Sequence, residues 1–422
     1  MRIRELNIKK INLNEIDRTY PGQDILFKCG ELYQFESGIY GYGNLITKME
    51  RYVENIIIEE LDKVGCIQTK FPILQPREIW DKSKRWDNYT KSSDIMFTLK
   101  NNLGEYGLAP TAEECATIFG ANRLQSEKNL PACYYQINEK FRKEIRTRGY
   151  LFRSRSFKML DAYSFDKDEE GLKKTYEKVR NAYINIFKRI GIDVIPIAAD
   201  NGSFGGNKSE EWMAITDIGE DTILYNGKIG LNTEILEKEN YEEILKQEHG
   251  ITDITDMKKY KTMELGHTFM LGTKYSETMD LKYNDSSNKR VPYCMGCYGI
   301  GIERIYTAIL ENSVLKNDDG SIKGLSLPFN IAPYKLQIIY KDTKEKEAFD
   351  LYEKLQSIGI PVIIDDREGM IGSKIKDCYV LGTPYMLIIG DKQDIGKYEL
   401  ESTKDEEKKI VTYEELVEIL KR

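Results

Sequence analysis

Three residues within one short run have the chemistry to hold a nucleotide. They lie in Phe141-Arg142-Lys143-Glu144 and, after a basic loop, Arg153-Ser154-Arg155-Ser156-Phe157, with Asp161-Ala162-Tyr163 following. Arg142 offers a planar fork of donors for an α-phosphate, Glu144 an acceptor for an adenine amino group, and Phe157 a face on which the adenine can stack. Such a set holds ATP in a bent shape. A second run, Cys294-Met295-Gly296-Cys297-Tyr298-Gly299-Ile300-Gly301-Ile302-Glu303-Arg304, places two glycines where backbone can approach a nucleotide closely. Arg304, at the start of an apolar helix, is set to reach a γ-phosphate. Each short motif alone also fits a solvated hairpin or an ordinary strand-to-helix turn, because such strings recur by chance. Cys294 and Cys297 form a lone CxxC; a zinc site needs a second pair, which the sequence lacks.

The full run from Phe141 to Phe165 resembles motif 2 of class II aminoacyl-tRNA synthetases, and its wording is similar to that of prolyl-tRNA synthetases. Residues 294–304 resemble motif 3, and Met263-Glu264-Leu265-Gly266-His267-Thr268-Phe269 matches a third segment in the expected order. The resemblance implies an α+β class II core, an antiparallel sheet flanked by helices, over residues 1–315, with motif 1 near 44–76, motif 2 near 139–166 and motif 3 near 294–310. A linker over 316–332 and a C-terminal α/β anticodon-binding-type domain over 333–422 are implied to follow.

By the same resemblance, Arg142 and Arg304 are catalytic, and ATP is held by Arg142, Glu144, Arg153, Phe157, Gly299, Gly301 and Arg304. Thr111, Glu113, His267 and Glu211 form the amino-acid site, Glu264 takes Mg2+ with the ATP, and Asp366, Arg367 and Lys374 meet tRNA. The implied partners are L-proline, tRNA(Pro) and a second copy of the chain, and the implied reaction is proline activation followed by transfer to tRNA in the cytoplasm. Two alternatives stay open: activation for an acceptor other than tRNA, or a non-catalytic homologue. Residues 107–119 also admit a reading without ligand, since Thr111 and Glu114 have the spacing of a capping box.

The sequence departs from the family at Ala112, Ser156 and Leu160, and in Ser209-Glu210-Glu211-Trp212, where histidine and phenylalanine are usual at 210 and 212. The span 167–262 is too short for the editing domain of common bacterial relatives. After Asp365-Asp366-Arg367, Gly369-Met370-Ile371-Gly372 stands where the family has Glu-Arg-Pro-Gly, so an arginine able to read a base edge is missing.

Composition bounds the rest. A chain of 422 residues with 41% hydrophobic content predicts two or three domains. No apolar run approaches the 18 or so residues of a membrane span. Seven scattered cysteines fit a reducing compartment. The net charge of −7 is unlike an electrostatic nucleic-acid binder, yet Lys140, Arg142, Lys143, Arg146, Arg148, Arg153, Arg155 and Lys158 crowd together and predict a local basic surface. Periodicity predicts a helix at 44–64 stopped by Gly65, an edge strand over 66–74 containing Pro72, a helix at 169–190, a strand at 192–197 and a turn at 201–206. Further strands are predicted at 334–340, 360–364 and 385–389, with helices at 345–357 and 373–380 and a last helix capped by Thr412 and Glu415.

Overall fold

The computed structural model describes residues 1–199, 208–248, 250–391, 394 and 396–421. The turn expected at 201–206 therefore lies outside the described residues. The chain divides into two compact units: one of residues 37–39 and 54–308, the other of residues 1–36, 40–53 and 309–422.

Helix α1 (Asn44–Lys63) follows the predicted period, burying Leu45, Met49, Val53, Ile56, Ile57 and Leu61 along one stripe. It ends at Gly65, whose φ of +83° suits only a residue without Cβ. The strand expected at 66–74 shrinks to β1 (Ile67–Gln68), parallel to its neighbour at the sheet edge, and Pro72 lies in no strand. Side chains take over the backbone pairing there: Gln136 accepts from the Phe71 N–H and Asn138 donates to the Phe71 carbonyl. Two helices, α2 (Arg77–Lys82) and α3 (Glu113–Arg123), lead into the long hairpin of β2 (Ala132–Phe141) and β3 (Ser156–Asp166).

Helix α4 spans Glu169–Ile190 as predicted, its first turn capped by the Asp168 carboxylate and its end closed by left-handed Gly191. Then come β4 (Ile195–Ala198), β5 (Lys208–Ile215), β6 (Asp221–Tyr225), β7 (Gly230–Asn232), β8 (Lys258–Gly272), β9 (Cys294–Gly301) and α5 (Ile302–Asn312). The nine strands form one sheet in the order β5-β4-β7-β6-β8-β9-β3-β2-β1, antiparallel except for the β7–β4 and β2–β1 pairs. Strand β5 also pairs with β8, closing five strands on themselves. Register does the positioning: Gly299 lies opposite both His267 and Asp161, and Gly301 opposite Met159, so the three sequence motifs become adjacent strands. An aromatic core of Phe71, Tyr134, Tyr163, Phe165 and Tyr293, packed edge to face, lies with Tyr275 beneath them.

In the other unit, the first part of the linker expected at 316–332 falls in a hairpin of strands Val314–Lys316 and Ile322–Leu325. Strands β10 (Leu336–Tyr340), β11 (Val362–Ile364), β12 (Tyr385–Ile389), β13 (Tyr398–Ser402) and β14 (Lys408–Val411) form a mixed sheet ordered β11-β10-β12-β13-β14. Helices α6 (Glu345–Ser357), α7 (Ile371–Leu381) and α8 (Tyr413–Leu420) accompany it, the last with the predicted reciprocal Thr412–Glu415 cap. Among the described residues, no helix is long and apolar enough to cross a membrane.

Candidate active site

A cleft of about 910 Å³, partly open to solvent, lies over β2, β3, β8 and β9. Thr111, Glu113, Arg142, Glu144, Arg153, Phe157, Glu264, His267, Gly299, Gly301 and Arg304 all line it. Arg142 leaves the end of β2, and its Nε and Nη2 donate to the Pro110 carbonyl at 3.3 and 3.2 Å while its guanidinium sits 5.2 Å from the Phe157 ring centre. No carboxylate pairs with it among the described residues, so donors remain for an incoming anion. The floor is bare: a Cβ built on Gly299 would meet nothing nearer than 3.8 Å. A side chain there would stand in the space a nucleotide needs.

Arg304 is braced differently, its Nη1 donating to the Glu264 carboxylate at 2.6 Å and to the Glu264 carbonyl at 2.9 Å. Burial alone would raise the Glu264 carboxyl, but Arg304 and then His267 outweigh it and pull it down to about 2. An ionised Glu264 can only accept, so His267 Nδ1 carries the proton in its 3.2 Å contact with Glu264 Oε1. The His267 ring stacks on Phe269 at 3.9 Å between centres, and its buried Nε2 has no partner among the described residues. Glu211, on β5, lies 3.8 Å from the same ring and accepts from Asn232 at 2.8 Å. Burial, then the Glu264 charge, pushes its carboxyl well above the usual range. Glu211, Glu264 and His267 bring their ligand atoms within 4.8 Å of one another.

The second end of the cleft is built on the loop before α3. Here the capping-box expectation is corrected: Ala112 is the N-cap residue and offers no side-chain bond, while the Thr111 hydroxyl donates to Glu113 Oε2 at 2.6 Å. Glu114 instead accepts from Ser83 at 2.7 Å and from Arg85 at 2.9 Å. The Ala112 N–H donates to the Tyr163 hydroxyl, which donates onward to Asp161 at 2.9 Å. Asp161 also accepts from Gln136 and pairs with Lys140 at 2.7 Å, both ions almost fully buried.

Sequence reasoning missed Arg85, Lys140, Asp161 and Tyr163 as supports of the site. The signal for the last two was the i, i+2 spacing on β3, which puts both on one face. The predicted basic surface is reduced rather than removed. Lys140 is internal, Lys158 pairs with Glu54 at 2.7 Å, and Arg148 and Arg153 share Glu220 at 3.3 and 2.9 Å. The departures Ala112, Ser156 and Leu160 do not line the cleft, and Ala112 and Leu160 are core residues. Glu210 faces away from Glu211, bonded to Tyr176 and Arg180, and Trp212 packs against Tyr183 and Phe187.

Of the tRNA residues, Asp366 accepts from the Arg4 backbone at 3.1 Å, and Arg367 is bound to Asp365 at 2.7 Å and Asp377 at 2.6 Å. Lys374 is corrected as a phosphate contact: its side chain is buried, its Nζ donating to the Asp365 carbonyl above the Tyr340 ring.

Residues 96–313 match the family model of the tRNA synthetase class II core domain (G, H, P, S and T), and residues 332–422 that of the anticodon binding domain. Fold and site together define a class II synthetase. Proline–tRNA ligases of Rickettsia bellii and of Wolbachia from Drosophila simulans are 35% and 38% identical over 381 and 380 residues, covering 87% and 86% of this chain and 86% of each relative. The chain belongs to the proline–tRNA ligase family. Its fold is similar to the prolyl-tRNA synthetase of Cryptosporidium parvum complexed with L-proline and AMP, with a TM-score of 0.74 at 15% identity over 99% of this chain and 77% of that one.

Proposed function

We propose that this chain activates proline with ATP and transfers it to tRNA(Pro). The observation that carries this reading is the single cleft in which a carboxylate-free arginine, an aromatic face and a second arginine meet a buried carboxylate–hydroxyl pair. ATP bends across the bare floor with its adenine on Phe157 and its amino group at Glu144. Arg142 then meets the α-phosphate and Arg304 the γ-phosphate. The substrate ammonium docks on Glu113 and Thr111, with the proline ring toward His267. The carboxylate attacks the α-phosphorus in line, pyrophosphate leaves, and the 3′-terminal ribose hydroxyl of tRNA then attacks the acyl carbon and releases AMP. Positioning and fixed charge lower the barrier without a protein nucleophile.

Glu264 and Glu211 present the hard oxygen donors that suit Mg2+ beside phosphates. Bound there, the cation would neutralise phosphate charge. We infer further that the chain works as a homodimer, because β1 leaves a sheet edge with Ile67 exposed. ATP–pyrophosphate exchange across the twenty amino acids tests the reading. Proline is expected to exchange best, followed by charging of tRNA(Pro); exchange only with another amino acid would refute it.

A further inference from the structure

Arg85 carries more structural commitment than a surface arginine, and the reaction described above gives it no role. Helix α2 ends with Lys84 at φ +60°, and the Arg85 N–H bonds back to the Trp80 carbonyl at 3.1 Å, a turn that sends the side chain inward. Its guanidinium is 5.3 Å from the Trp80 ring centre, 4.5 Å from that of Tyr89 and 5.2 Å from that of Tyr275. Inside this aromatic box Nη1 spans two fully buried carboxylates, meeting Glu113 Oε2 at 3.2 Å and Glu114 Oε1 at 2.9 Å. The guanidinium stays charged there, because Glu114 and Glu113 outweigh the cost of its burial.

The two oxygens of Glu113 are thereby made unequal. Oε2 takes both the Arg85 N–H and the Thr111 hydroxyl, whereas among the described residues Oε1 receives only the weak S–H donor of Cys297 at 3.5 Å. Glu113, Thr111 and Cys297 all line the cleft, and of the two Glu113 oxygens Oε1 is the one with acceptor capacity left for a ligand there. A carboxyl group with one oxygen held by two donors from behind has its plane fixed and presents the other oxygen as an acceptor.

We propose that Arg85 is a positioning residue for amino-acid recognition, locking Glu113 Oε2 so that Oε1 receives the N–H of a cationic secondary amine. The inference rests on the proposed proline activation and deepens it. Arg85 touches no substrate; it acts through Glu113. Removing its charge leaves two buried carboxylates side by side, and one of them takes a proton instead of serving the ammonium.

The test is ATP–pyrophosphate exchange with Arg85→Met and Arg85→Lys, using tetrahydrofuran-2-carboxylate as a competitive probe. The probe keeps the ring and carboxylate of proline but has an ether oxygen in place of the charged nitrogen. Arg85→Met should raise the KM for proline about 10- to 100-fold, the scale of a hydrogen bond to a charged group. The KM for ATP should stay within about twofold, and the Ki of the probe should hardly move, so the preference for proline over the probe collapses. Arg85→Lys, which keeps a buried cation without the fork, should recover part of that preference. An unchanged KM for proline in both variants, or equal weakening of proline, probe and ATP, would overturn the role. A wild-type chain that does not exchange proline would defeat the proposed function and this inference together, whereas normal wild-type exchange with unaffected variants would defeat only the inference.

Discussion

Arg142 and Arg367 both look, in sequence, like arginines waiting for a phosphate, and the structure treats them oppositely. Arg142 leans on a carbonyl and a ring with no carboxylate partner, while Arg367 is closed off by Asp365 and Asp377. The same holds for lysines, since Lys374 is folded inward onto a carbonyl and an aromatic face. A cation serves a ligand when the fold orients it but leaves its strongest hydrogen bonds unmade. Arg367 and Lys374, whose donors are taken up within their own unit, serve the fold.

The largest effect should therefore come from the cleft. Arg142→Ala is expected to lower proline-dependent pyrophosphate exchange by about 100-fold or more, the scale of losing roughly 3 kcal/mol of charge stabilisation, with an unchanged melting curve. Exchange within a fewfold of wild type would break the contrast. Arg367→Ala should do the reverse. It strands the fully buried Asp365 without its cation, costing on the order of 2 kcal/mol, less than for a fully buried pair because Arg367 is partly exposed. Calorimetry should show that loss while exchange persists; an unaltered melt with lost exchange would reverse the assignment.

The contrast also explains what could be read without coordinates. Helices α1, α4 and α6 were legible because their apolar stripes, with a glycine stop or an acidic first turn, are local signals. The cleft residues were legible through wording shared with the family. Partnering was not, because it depends on register between distant strands. Nothing near Lys140 in sequence announces Asp161 across the hairpin, and nothing near Glu113 announces Arg85. The strand expected through Pro72 failed for a similar reason, as Gln136 and Asn138 supply from another strand the bonds a ladder would have made. Counting charges in a window measures proximity along the chain, and Lys140, Arg148, Arg153 and Lys158 dropped out of the predicted basic patch as free cations once Asp161, Glu220 and Glu54 entered.

A buried carboxylate outside the cleft sharpens the rule. Asp166 accepts from Thr175 at 2.6 Å through one oxygen, its other oxygen has no hydrogen-bond partner among the described residues, and it does not line the cleft. Burial first, against the pull of Thr175 and Ser164, raises its carboxyl to about 6. Because the folded state then holds its proton more tightly than the unfolded state, whose value is about 3.9, stability falls as pH rises from about 4 to 6 and stays reduced above. Asp166→Asn should remove that penalty, making the variant more stable than wild type by on the order of 1 to 2 kcal/mol at pH 7 and by much less at pH 4. Catalysis should be unaffected. A difference in melting temperature that does not grow with pH would show that Asp166 is compensated in solution.

The smallest expected effect concerns anticodon reading, where a side chain is missing altogether. Met370 is 82% exposed just before α7, where the resemblance led us to expect an arginine. Met370→Arg adds a cation whose neighbours Gly369 and Ile371 offer it no carboxylate, so it falls on the unneutralised side of the comparison. A single bidentate base contact is worth about 1 to 3 kcal/mol of discrimination, and an exposed, unbraced arginine should deliver the low end of that range. Charging by the wild-type chain should thus tolerate anticodon substitution better than charging by Met370→Arg. The variant should gain roughly fivefold to tenfold in preference for the cognate anticodon, with unchanged proline exchange and stability. Equal discrimination by both proteins, at a level that already collapses on one anticodon change, would mean that other residues of this unit read the bases. Methionine at 370 would then be a replacement the fold had already made good.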